Sequence, residues 1–176
     1  MKKIYSTLLI ILIYTISFSQ TKFFEKVDYR GAFDPNKPMW TDGWCNWDPQ
    51  NTAYGSTKTI VNSDITTNTT WNTGDIILIQ NKIYVTNGST LTIKPGVIIR
   101  GDKSTEGTLI ISRGSKINAI GTATNPIVFT SNFGVGQRGL GDWGGIVICG
   151  YGITNTGTSV IEGGLDGEKA KFGGSN

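Results

Sequence analysis

The sequence predicts an all-β chain wound as a parallel β-helix, on three observations. The composition favours strands: from Gln20 onward Ile and Val number 18 and 8, while Leu and Ala number five each. Branched side chains suit strands, whereas Ala and Leu suit helices. The apolar residues come in runs of three or four between turn residues, and no ten-residue stretch has a helical period. The runs also repeat one another in register.

Met1-Lys2-Lys3 precedes an apolar stretch from Leu8 to Ile16 and then Ser17-Phe18-Ser19. This is the layout of a secretory signal over residues 1–19. The stretch is shorter than the roughly 20 apolar residues of a membrane-spanning helix, and no second such stretch follows. The expected product is secreted or held at the cell surface, with no transmembrane segment once the signal is removed.

Residues 20–58 read as an aromatic, loop-rich segment. Trp40, Trp44 and Trp47 lie within eight residues, among Asp34-Pro35, Lys37-Pro38 and Asp48-Pro49. One reading makes these rings a cap over the end of a β core, since burial favours large rings. The other makes them a platform for sugar.

From Thr59 to the end, residues 59–176 read as coils. The runs are Ile76–Ile79, Ile83–Val85, Leu91–Ile93, Val97–Ile99, Leu109–Ile111, Ile117–Ile120, Ile127–Phe129 and Ile146–Ile148. Asn87-Gly88, Pro95-Gly96, Gly101-Asp102, Arg113-Gly114 and Gly121 punctuate them. The stretch from Ile83 to Ile93 recurs at Leu109 to Ala119, an offset of 26. Val85 then matches Ile111, Gly88 matches Gly114, Leu91 matches Ile117 and Ile93 matches Ala119. Strand alternation points these apolar side chains inward. Three short strands per coil, stacked on their equivalents, bury what one coil cannot. An antiparallel β-sandwich is the alternative, though its strands have no reason to repeat in register.

The stretches Leu91 to Gly101 (LTIKPGVIIRG), Ile117 to Ser131 (INAIGTATNPIVFTS) and Gly141 to Gly150 (GDWGGIVICG) resemble secreted right-handed parallel β-helix proteins. The nearest likeness is to surface β-helix proteins of Gram-negative bacteria with type IX secretion. The resemblance implies a right-handed coil, a surface location and further coils ending in a sorting domain. On that comparison the sequence is expected to be an N-terminal fragment. An uncapped solenoid end exposes strand edges, so self-association at the open end is also expected.

The chemistry is sparse. The formal charge of +3 falls to +1 without Lys2 and Lys3, which does not suit an electrostatic nucleic-acid binder. The absence of His removes His-based triads and His-ligated zinc. Gly134 to Gly139 and Gly139 to Gly144 each match Gly-x-Gly-x-x-Gly, but a dinucleotide site needs a helix next. A strand-like run follows instead, so the glycines read as a loop that returns through Trp143. Asp102, Glu106, Asp142, Glu162, Asp166 and Glu168 are the acids considered for catalysis or calcium. None repeats at the coil spacing, and they read as solvated turn acids. No catalytic residue, metal or cofactor is assigned.

The candidate ligand-binding residues are Trp40, Trp44, Trp47, Arg138, Asp142 and Trp143. Their ligand would be an extracellular polysaccharide or a surface protein. Cys45 and Cys149 are a candidate disulfide, permitted outside the cytoplasm. Cys149 also reads as a buried apolar thiol within Ile146-Val147-Ile148-Cys149. The expected function is a non-catalytic module for structure, adhesion or binding. A polysaccharide lyase or hydrolase is the alternative, with its catalytic groups in the loop from Arg138 to Asp142 or past residue 176.

Overall fold

A computed structural model describes residues 28–43 and 45–174, so the signal expected at 1–19 and the candidate Trp44 lie outside the described residues. The chain divides into two units, Met1–Asp42 and Gly43–Asn176. In the first, the Asp34 carboxylate accepts from the Asn36 N–H at 2.9 Å and pairs with Lys37 at 3.3 Å. Phe33 and Trp40 stack there with ring centres 5.8 Å apart.

Among its described residues the second unit carries twelve strands. They are β1 (Thr59–Val61), β2 (Thr69–Trp71), β3 (Ile76–Ile79), β4 (Lys82–Val85), β5 (Thr90–Ile93) and β6 (Ile98–Gly101), then β7 (Thr108–Ile111), β8 (Lys116–Ala119), β9 (Val128–Ser131), β10 (Gly145–Ile148), β11 (Ser159–Val160) and β12 (Lys171–Phe172). Consecutive strands from β1 to β10 go to different sheets, and each pairs in parallel with its equivalent in the next coil. One sheet runs β1-β3-β6-β9, the second β4-β7-β10 and the third β2-β5-β8. Ile65 bridges to Val85 and extends the second sheet into the first coil. The result is a right-handed parallel β-helix, the hand that parallel crossovers favour.

The register read from sequence is the register formed. Val85 pairs with Ile111, Leu91 with Ile117, and Ile93 with Ala119. Gly88 and Gly114 occupy equivalent corners, at φ +68 and +82, where a side chain would be strained. The offset of 26 is not general, however. Thr59 pairs with Ile77, 18 residues on, Ile98 with Val128, 30 on, and Thr108 with Gly145, 37 on. Only the strands must stack, so the connections at the corners differ freely in length.

Inward columns make the main core, among them Ile77-Ile99-Phe129, Ile83-Leu109 and Val85-Ile111, the last two continued at the coil's end by the exposed Ile146 and Ile148. Each fully buried Ile or Leu contributes about 1.5–3 kcal/mol. Trp71, not one of the clustered tryptophans, lies in the core, 5% exposed. The expected cap of buried rings is corrected at two positions, because Trp40 and Trp47 are 64% and 65% exposed.

The second sheet is apolar on its outer face too. Tyr84, Ile110, Val147 and Cys149 project outward there and pack against Ile161, Leu165, Ala170 and Phe172. The arm from Gly150 to Gly174 therefore lies along the outside of the coil. Arg113 donates to the Gly173 carbonyl at 2.7 Å, the Tyr84 hydroxyl accepts from the Asp166 N–H at 2.8 Å, and Lys169 pairs with Asp64 at 2.8 Å.

The Cys45–Cys149 bridge is not formed. Both thiols are free, Cys45 exposed and Cys149 buried. Alternation from inward Ile146 places Cys149 on the outer face of the second sheet, under the arm, whereas Cys45 stands beside Ala119 and Phe129 of the other two sheets. Burial pushes the Cys149 thiol up, as expected for a buried apolar thiol.

Candidate functional site

The outer face of the second sheet carries a cleft of about 350 Å³, within the size range of small-ligand sites. Three walls meet there: the corner before β7, the loop before β10, and the arm at Ile161–Leu165.

The corner from Asp102 to Gly107 is fixed by local bonds. One Asp102 carboxylate oxygen accepts from Ser104 Oγ at 2.6 Å and from Thr105 Oγ1 at 2.9 Å. Such side-chain bonds give the backbone a stable turn outside any ladder. Glu106 follows in the left-handed region at φ +54, and its carboxylate meets Lys82 Nζ at 2.9 Å. That hydrogen bond, and then the charge of Lys82, hold the Glu106 carboxyl below its ordinary range.

The loop from Asn132 to Gly144 carries the overlapping glycine motifs. A strand follows it, which excludes the dinucleotide geometry. Asp142 is buried, accepts from the Gly139 N–H at 2.7 Å and lies 3.5 Å from Lys103 Nζ. The Gly139 bond is the chief reason that its carboxyl is held below the ordinary value of 3.8, with smaller help from Ser131 and Lys103. Trp143 stands over Gly101, where any side chain would collide with its ring. The remaining surface of Trp143 lines the cleft beside Thr108, Val147 and Leu165.

Of the residues singled out from sequence, the cleft brings together Asp142 and Trp143. Arg138 does not line it. It is buried, with Nη1 donating to the carbonyls of Pro49 at 2.8 Å and Thr52 at 2.7 Å and Nε to that of Phe133 at 3.2 Å. Its guanidinium also lies 4.8 Å from the Tyr54 ring centre. Arg138 thus ties the loop to the segment before β1, a structural role. Trp47 lies outside the cleft lining, and Trp40 belongs to the first unit.

Sequence reasoning missed Lys82 and Lys103, and it left Glu106 and Glu162 among solvated acids. All four line the cleft. The available signal was the parallel register, which sets Lys82 beside Thr108 and Thr108 beside Gly145 on one outer row. Among the described residues no three of His, Cys, Asp and Glu gather as metal ligands, and no helix is long and apolar enough to cross a membrane.

A family model described as a pectate-lyase-like beta helix domain matches residues 63–176. No curated protein and no solved structure matches.

Proposed function

The chain belongs to the pectate-lyase-like β-helix family, and from that premise we propose that it is an exported, non-catalytic module that holds a glycan in the cleft beside Trp143. The observation that carries this reading is the cleft's composition. An indole and apolar side chains stand next to polar groups, and sugars present both apolar ring faces and hydroxyls. The solenoid frame supplies a rigid outer row for an extended ligand.

The state of the acids supports binding rather than hydrolysis. Glycoside hydrolysis needs one carboxyl kept protonated by a raised pKa, beside a second that stays ionised. Glu106 and Asp142 are both pushed the other way, and each is committed to a lysine. Export rests on the basic and apolar N-terminus. A role at the cell surface, in adhesion or structure, is the corresponding biological reading.

The test is retention and turnover on one set of polysaccharides, with and without calcium. The expected outcome is retention without new reducing ends or unsaturated products. The family match favours the second reading, a lyase or hydrolase. Products that disappear in Asp142→Ala, with the fold intact by circular dichroism, would establish it.

A further inference from the structure

We infer that the cleft selects uncharged glycan over polyuronate. This rests on the glycan reading above and names the ligand class for the same site. Two ammonium groups and three carboxylates line the cleft. Lys82 is engaged by Glu106 at 2.9 Å, and Lys103 by Asp142 at 3.5 Å. Lys103 also lies 5.7 Å from the Phe133 ring centre. The third carboxylate, Glu162, has no ion-pair or hydrogen-bond partner among the described residues.

A uronate entering here would meet an uncompensated negative charge, with both nearby cations already taken. To use one it must share it with the carboxylate already paired there, in a lining whose formal charges sum to one negative. Like charges a few ångströms apart repel by an amount that grows as water is expelled. A neutral sugar meets no such barrier. Its hydroxyls can donate to Glu162, and its oxygens can accept from the remaining N–H groups of Lys82 and Lys103. Val147, Ile161 and Leu165 supply apolar surface for a ring face. Polar groups and apolar surface thus stand side by side in the lining, the complement of a polyol ring.

The experiment is affinity electrophoresis of the full chain through gels holding mixed-linkage β-glucan, galactomannan or polygalacturonate. Retention by at least one neutral polymer should exceed that by polygalacturonate about tenfold. It should survive about 0.5 M NaCl, since no net ion pairing drives it. Exposed Glu162 permits two variants without a folding cost. Glu162→Gln should narrow the preference, and Glu162→Arg should give measurable retention by polygalacturonate. Wild-type retention by polygalacturonate equal to or above that by the neutral polymers, and lost in salt, would overturn the inference while leaving the glycan reading standing. A preference unmoved by both variants would place the ligand elsewhere and overturn it too. No retention by any of the three polymers would remove the glycan reading itself.

Discussion

β7 and β10 are neighbours in one sheet with nearly the same apolar text, yet their environments are opposite. Leu109 and Ile111 of β7 are 0% and 1% exposed, while their partners Ile146 and Ile148 of β10 are 39% and 66% exposed. Alternation is the same in both. The difference is stacking, because β7 has β4 on one side and β10 on the other, whereas among the described residues β10 is paired at β7 alone. In a coil of this type an inward direction is not yet a buried position. β7 is dry because rungs cover it on both sides, and β10, covered on one, keeps Ile146 and Ile148 in contact with water.

The sharpest way to test this contrast is to empty the same column at both rungs. Ile111→Ala should cost about 3 kcal/mol in urea unfolding, since it opens a cavity in a packed interior. A smaller loss is expected from Gly101→Ala, about 1–3 kcal/mol, because the new methyl must displace the Trp143 ring. Adding Trp143→Ala should recover part of that loss, and a double-mutant cycle reads the coupling. If the two effects simply add, the ring is not what Gly101 accommodates.

Asp142 acts on the loop that delivers the chain to β10, and its effect should depend on pH. Its carboxyl is depressed below 3.8 in the folded chain, so the folded state binds this proton less tightly than the unfolded one. The stabilisation is therefore complete above about pH 4 and is lost as pH falls through the folded value. Asp142→Asn should lower the melting temperature at neutral pH, with the gap from wild type closing below pH 4. A gap that stays constant across that range would mean that the charge contributes nothing. The smallest effect is expected at the exposed rung: Ile148→Ala should change stability by less than about 0.5 kcal/mol. A loss as large as that of Ile111→Ala would break the comparison.

The same contrast explains what the sequence made legible. Each of the eight runs read from it overlaps a strand, because every one keeps apolar residues at inward positions. β2 escaped because Thr69 and Thr70 carry no apolar signal and Trp71 alone supplies the core. The first-coil contribution to the second sheet is a single bridging residue, Ile65, too short to form a pattern. The cleft was less legible. Lys82, Lys103, Asp142 and Glu162 meet only because corners of unequal length return the chain to one outer row, and no local periodicity encodes that meeting. Glu106 read as a solvated acid because its lysine lies 24 residues away. Arg138 drew attention as a cation in a glycine-rich loop, yet its donors serve backbone carbonyls.

Cys149 turns the outer arm into something that can be timed. The thiol is shut beneath Ala170 and Phe172 and kept protonated by burial, whereas the Cys45 thiol is open to solvent. An alkylating reagent should mark Cys45 at once and Cys149 only when the arm lifts. The molecule thus carries a fast clock and a slow one in the same chain. Their ratio measures how often the arm opens while the coils stay wound, separating that local event from global unfolding.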